Sequence, residues 1–356
     1  MSFPFVQPYF GLGNSLQTAQ AVGGAGGVGG WVELGRHTLT GGTSTLEVTG
    51  LADKRYLMLL SHRIGSMEAI QRFNGDSGSN YSYRRTNDGS DHNTGTSKTQ
   101  LVNLVGWNTT EFNVSYVANL ASKEKLVLGH TIADRGAGSG TANSRNEFSG
   151  KWANTSDAVN AVSMSTISGS FDADSELVVL GWDPADTHTT NFWEELASVT
   201  LGSDGDVLSS GTISAKKYLW VQAFIKNAGD TARFNTQVTF NNDTSSNYAM
   251  RRSMDGGTDS TSTGDSNLFS SGVTGSNDDL WCMNLFIVNN GSNEKLCIAH
   301  GFDTYIGSGA GNAPSQRYEA VGKWANTSNQ ITEIDITNSD TSNYDAISEL
   351  RVWGSD

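Results

Sequence analysis

Two Arg-x-Glu triplets are the first residues in this sequence that could do chemistry. Arg145 and Glu147 recur as Arg317 and Glu319, with Lys151 and Lys323 four residues beyond each glutamate. Such a carboxylate does glycosidase-type acid/base work only when a second carboxylate faces it across a cleft. Residues two apart on a strand share one face, so the triplet reads as a structural ion pair. His130 and His300 each follow an apolar strand. Neither has another His, a Cys or a close acidic cluster at ligand spacing, so no metal site is predicted from them. No Gly-x-Ser-x-Gly elbow accompanies them, which removes the commonest hydrolase signature. The Gly-rich stretches 135–140 and 307–312 lack the Lys-Ser/Thr ending and following helix of a phosphate cradle, and read as loop tips. Two turns gather oxygen ligands, one with Asp76 and Asn80, the other with Asp243 and Asn247. They are weak calcium candidates, because each has one carboxylate and calcium usually wants more; an Asx-stabilised hairpin turn is the simpler reading. No catalytic residue, metal or cofactor is expected.

The elements that position these residues come in two copies. Gly150-Lys151-Trp152-Ala153-Asn154-Thr155-Ser156 recurs letter for letter from Gly322 to Ser328. Other matches fall in the same order around it: Trp31 with Trp193, Tyr56-Leu57 with Tyr218-Leu219, and Glu124-Lys125-Leu126 with Glu294-Lys295-Leu296. Phe73-Asn74-Gly75-Asp76 leading to Asn80-Tyr81 answers Phe240-Asn241-Asn242-Asp243 leading to Asn247-Tyr248, and Ser175-Glu176-Leu177 answers Ser348-Glu349-Leu350. The first copy spans 31–184 and the second 193–356, with a short polar linker between them. Each is large enough to fold alone.

Within a copy, Phe112, Val114 and Tyr116 alternate with Asn113, Ser115 and Val117, which predicts a half-buried strand. Tyr56 to Leu60 and Tyr218 to Ile225 are apolar without alternation, as in strands covered on both faces. The chain holds 41 glycines and only 4 prolines, which suits many short strands joined by tight turns. The fold class is all-β: two tandem antiparallel jelly-roll-like β-sandwiches of eight or nine strands each, behind an extended N-terminal tail.

Against 37 acidic residues stand 23 basic ones, a net charge of −14 that repels nucleic acid in the absence of a basic patch. No stretch is long and apolar enough for a membrane span, and the N-terminus lacks a secretory h-region, so assembly in the cytoplasm is expected. Cys282 and Cys297 align with Phe112 and Val127 of the first copy and read as buried thiols rather than a disulfide.

Residues 1–30 differ from the rest: they carry no charge and end in a Gly-rich tether. Before the tether lie Phe3, Phe5, Val6, Tyr9, Phe10 and Leu12, an apolar peptide too short to make its own core. It reads as an anchor for a partner surface. Trp107, Trp182 and Trp281 have no aromatic counterpart in the other copy, and are the candidates for exposed, glycan-stacking rings.

The succession Phe-Asn-x-Asp-x-x-x-Asn-Tyr, Glu-Lys-Leu, Gly-Lys-Trp-Ala-Asn-Thr-Ser and Ser-Glu-Leu-x-Val resembles a repeat of virion-associated proteins from marine tailed phages and related environmental viruses. The resemblance covers residues 31–356 and supplies no catalytic set. It implies a virion component, a head decoration, fibre or tail-associated protein, that joins other virion proteins through its N-terminal tail. It also implies a homo-oligomer, with a host surface glycan as a further partner. A carbohydrate-binding or adhesive surface protein and a double jelly-roll capsid subunit are the alternatives, with a hydrolase behind both.

Overall fold

The computed structural model describes residues 30–65, 67–101, 103–104, 110–186, 190–229, 234–273, 279–304 and 316–356. The anchor residues Phe3, Phe5, Val6, Tyr9, Phe10 and Leu12, together with Trp107 and the 307–312 loop, lie outside them.

The first copy contains β1 (Val32–Thr38), β2 (Thr45–Thr49), β3 (Tyr56–Arg63), β4 (Met67–Phe73), β5 (Tyr81–Asn87) and β6 (Asp91–Lys98). It continues with β7 (Asn103–Leu104), β8 (Glu111–Ala118), β9 (Lys125–Ala133), β10 (Ser144–Trp152), β11 (Ala161–Gly169) and β12 (Glu176–Trp182). The second copy contains β13 (Glu194–Thr200), β14 (Val207–Ser209), β15 (Tyr218–Lys226), β16 (Phe234–Phe240), β17 (Tyr248–Met254) and β18 (Ser260–Asp265). It ends with β19 (Leu268–Val273), β20 (Leu280–Val288), β21 (Lys295–Asp303), β22 (Gln316–Trp324), β23 (Ile334–Asn338) and β24 (Glu349–Ser355).

Each copy is an antiparallel sandwich of an eight-stranded and a four-stranded sheet. The orders are β1-β12-β3-β8-β9-β10-β5-β6 over β2-β11-β4-β7, and β13-β24-β15-β20-β21-β22-β17-β18 over β14-β23-β16-β19. The second order is the first with every strand advanced by one copy, so the duplication extends to topology. Among the described residues, twelve strands per copy exceed the eight or nine expected. Elements as short as β7 and β14 carry too few residues to display a period.

The shared motifs build the turns and the core beneath them. Asn74 and Asn241 take positive φ of 51° and 53°, a backbone region that asparagine tolerates better than most residues. The turn that follows aims an aspartate back at the sheet. Asp76 accepts from Gly78 N–H at 2.8 Å, Asn80 Nδ2 at 2.9 Å and Trp152 Nε1 at 2.6 Å. Asp243 does the same with Ser245 N–H at 2.9 Å, Asn247 Nδ2 at 2.8 Å and Trp324 Nε1 at 2.7 Å. Partial burial opposes ionisation of both carboxyls, but these donors outweigh it and hold both below the usual range. Donors fill the carboxylates, so the Asx-turn reading accounts for these turns without calcium.

Trp152 and Trp324 are each 1% exposed. Lys125 lies 5.4 Å from the Trp152 ring centre and donates to the carbonyls of Ala121, Lys123 and Asn154. Lys295 lies 5.7 Å from the Trp324 ring centre and donates to the carbonyls of Asn293 and Asn326. Asn154 Oδ1 accepts from Ser156 and Asp157 N–H, and Asn326 Oδ1 from Ser328 and Asn329 N–H, which closes the turn after each tryptophan. The repeated heptapeptide is therefore one packed unit: ring, buried ammonium and turn.

Strand β8 is not half-buried as its alternation predicted, and it is the polar face that turns into the first sandwich. Asn113, Ser115 and Val117 face its interior, while Phe112, Val114 and Tyr116 face outward. Asn113 Nδ2 donates to Thr131 Oγ1 and Ser115 Oγ donates to Asn113 Oδ1, at 2.9 and 2.8 Å, so the inward polar groups are paired. The strand is buried on both faces, because the outward face meets the other copy.

Both cysteines are free. Cys297 belongs to the core of the second sandwich, whereas Cys282 alternates with the inward-facing Trp281 and Met283 and lies on the opposite face. A bridge between them is excluded by geometry.

Candidate functional site

The outward faces of the two large sheets pack against each other. Met58, Leu60, Phe112, Val114 and Ile132 of the first copy form one buried cluster with Tyr218, Trp220, Phe286, Ile298 and Trp353 of the second. Phe112 stacks on Tyr218 at 6.2 Å between centroids, and Trp220 on Phe286 at 5.5 Å. Trp31 and Trp193 are buried in this seam and not in the sandwich cores. The unalternated strands Tyr56–Leu60 and Tyr218–Ile225 are covered on both faces for this reason: Leu57 and Leu59 serve the sandwich, Met58 and Leu60 the seam.

Charged residues complete the seam. Arg145 binds Asp259 at 2.7 Å, Arg251 approaches Asp88 at 3.2 Å, and Lys217 reaches Glu176 at 3.1 Å. Tyr218 donates to Glu176 at 2.8 Å. Burial alone would raise the Glu176 carboxyl, but Thr38, Lys217, Tyr218 and Arg36 together hold it low. The 135–140 stretch is a clamp rather than a free loop tip. Lys323 binds Asp134 at 2.8 Å and the Gly136 carbonyl, while Gly138 N–H donates to Glu294 and Ser139 Oγ to the Ser246 carbonyl. Lys323 is fully buried there, whereas its counterpart Lys151 pairs with Glu124 in solvent.

Sequence spacing gave His130 and His300 no partner, and the fold supplies one. The rings meet across the seam with centroids 4.1 Å apart and planes tilted by 31°. In register, His130 lies opposite Glu147 on β10 and His300 opposite Glu319 on β22. His130 Nε2 is 3.7 Å from Glu147 Oε1, and one ligand atom from each of His130, Glu147 and His300 lies within 4.8 Å of the others. Arg145 pairs with that same Glu147 oxygen, as the Arg-x-Glu spacing predicts, and Arg317 pairs with Glu319 at 2.8 Å. Burial lowers both imidazoles well below the ordinary histidine value, with Arg145 adding for His130 and the other ring for His300. Burial and the nearby Glu147 charge raise Glu319. A cavity of about 30 Å³ opens beside the rings, lined in part by Tyr116, Gly129, Asn284 and Phe286. The arrangement offers two neutral imidazole nitrogens and a carboxylate at one point.

The other candidates separate. Trp281 is fully buried, stacked on Tyr318 in the second core, so the expectation that its ring is exposed is wrong. It fills the position held in the first copy by Glu111. Trp182 is partly exposed and stacks on Tyr56 at 5.3 Å. Both rings line an apolar pocket of about 210 Å³ with Trp31, Tyr116, Leu126 and Leu128.

No family model and no curated protein matches the chain. Among solved structures, mouse laminin alpha1 chain domains LG4-5 align over 90% of this chain and 92% of that one, at 8% identity and a TM-score of 0.17. An HCR/D W1238A mutant aligns over 87% and 93% at 8% identity and 0.19, and Neisserial surface protein A over 83% and 99% at 7% and 0.11. Such scores carry no argument, and the fold rests on its own strand order.

The seam is expected to weaken in acid. His62, fully buried on its first-copy side, faces Lys217, Glu176 and Arg63. Burial, reinforced by Lys217, pushes it down to about 3 from 6.5. Between those values the unfolded chain binds a proton that the folded chain refuses. Stability is therefore complete above pH 6.5 and falls as pH drops towards 3. At pH 5 the loss from this one residue is about 2 kcal/mol. His130 and His300 act in the same direction. Urea unfolding at pH 7 and pH 5 measures the difference, and His62→Leu should flatten it. Equal stability of the parent at both values would refute the assignment.

Proposed function

We propose that this chain is a structural building block of a particle, held by its N-terminal tail and displaying a rigid double sandwich. The supporting observation is how the residues retained in both copies are used. The Asp76 and Asp243 turns, Trp152 and Trp324, Lys125 and Lys295, and Trp31 and Trp193 all close turns, fill cores or join the copies. A duplicated enzyme would be expected to retain a reacting constellation in at least one copy; here the retained set is framework. A face-to-face seam rich in aromatic rings and ion pairs turns two domains into one stiff body, which suits a load-carrying or displaying role. The resemblance to virion-associated repeats makes the particle a virion, with self-association and attachment to other virion proteins as its contacts. The competing reading, a glycan-binding adhesive protein, draws on the Trp31, Tyr56 and Trp182 pocket.

Trp31, which follows the tail in sequence, is held in the seam, its carbonyl accepting from Phe192 N–H. The tail's apolar side chains each gain about 1.5–3 kcal/mol on full burial, against roughly 1–2 kcal/mol of backbone entropy per ordered residue. Docking is favourable only in a preformed groove on a partner. Deleting residues 2–20 is expected to leave the melting temperature unchanged and to abolish incorporation into the particle or oligomer. Incorporation of the truncated chain at normal occupancy would move the contact onto the sandwiches, with the Trp182 pocket as the first surface to test.

A further inference from the structure

We propose that His130, His300 and Glu147 form a binding site for one divalent first-row transition metal ion, of the zinc class, that ties the two repeats together across their seam. Two imidazoles and a carboxylate are the ligand chemistry such ions prefer, with water completing the shell. The donors come from both copies, His130 and Glu147 from β9 and β10 and His300 from β21, so the site exists only when the seam is formed.

Two observations converge on it. The three donor atoms already lie within 4.8 Å of one another, and a tetrahedral shell with bonds of about 2.0–2.2 Å would hold them roughly 3.4 Å apart. Second, Glu147 is already held by Arg145, which is itself anchored on Asp259 at 2.7 Å, the kind of outer partner that fixes a ligating carboxylate. Side-chain exposures of 21% for His130 and 25% for Glu147 leave the ion a way in.

The full-length protein, stripped with chelator and exchanged into metal-free buffer, is titrated with Zn²⁺ alone and with Co²⁺ alone. One ion per chain at micromolar affinity or tighter is expected, with a Co²⁺ absorption spectrum of low coordination number and nitrogen ligation. His130→Ala and His300→Ala should each lower affinity at least tenfold, and Glu147→Gln should weaken it as well. Zinc at a hundredfold excess over its Kd should raise the melting temperature by roughly 5 °C. No binding by the parent at 100-fold molar excess of zinc, or unchanged affinity in both histidine variants, overturns the site and leaves a stacked histidine pair. Should either variant fail to fold, the Co²⁺ spectrum of the unsubstituted chain decides, because octahedral all-oxygen coordination would place the ion elsewhere. Attachment to a particle is not measured here, so failure of this proposal leaves the structural role standing.

Discussion

Replacing Glu111 by alanine is expected to destabilise the first sandwich by about 3–5 kcal/mol, because it leaves a guanidinium buried without its partner. Arg63 and Glu111 are both 0% exposed and pair across β3 and β8, facing the interior of the sandwich. Burial pushes Arg63 down and Glu111 up, each against the pull of the other's charge. Ser61 and Gln71, also fully buried, have side-chain atoms without hydrogen-bond partners among the described residues. The second copy shows what the fold does without the pair: Ile225 and Trp281 stand opposite each other at the equivalent place, in an apolar core. The double exchange Arg63→Ile with Glu111→Trp should therefore recover most of the loss, since replacing a buried ion pair by well-packed apolar groups is often neutral or stabilising. Denaturant unfolding of the two single variants and the double variant closes the cycle. A Glu111→Ala loss under about 1 kcal/mol would mean that water reaches Arg63.

That pair also marks where the sequence stops being legible. The duplication, the all-β class and the buried Trp152 and Trp324 could be read because each motif closes on itself: an Asx turn, a ring bonded to it, an ammonium over the ring. Such units depend on neighbours a strand or a turn away. The seam depends on something else, namely which face of a strand looks inward. Alternation along β8 marks two faces but assigns neither, and the apolar one turned out to face the other copy. Trp281 was misplaced for the same reason. Its lack of an aromatic counterpart suggested exposure, whereas the first copy holds a charge pair at that buried site.

His130 and His300 were dismissed on spacing along the chain, which is the wrong measure in a duplicated protein. The fold brings His130 and His300 together across the seam, however distant they are in sequence. The readable signal was present in three features taken together. The histidine recurs, an Arg-x-Glu strand follows it in each copy, and both central strands of the large sheets are too apolar to face water. A sheet with no wet face requires a partner, and the other copy is the partner nearest at hand.

Trp152→Ala is expected to cost the first sandwich about 3–5 kcal/mol, the range for truncating a fully buried large side chain. The ring has three partners that a smaller residue cannot replace. It stacks within 6.4 Å of Tyr81, lies under the Lys125 ammonium and donates its Nε1 proton to Asp76. The Asp76 carboxylate would keep two donors, Gly78 and Asn80, so the turn should persist while the core beneath it opens. Trp152→Phe separates these contributions. It retains most of the ring and loses only the charged hydrogen bond, which is worth about 1.5–3 kcal/mol. Trp324→Ala should match Trp152→Ala, because Tyr248, Lys295 and Asp243 surround that ring in the same way. Equal losses measured by urea unfolding would show that the repeated heptapeptide does the same work twice. A large loss in one copy with a negligible loss in the other would mean that the identical sequence has diverged in what it supports, and the symmetry of the two cores would have to be given up.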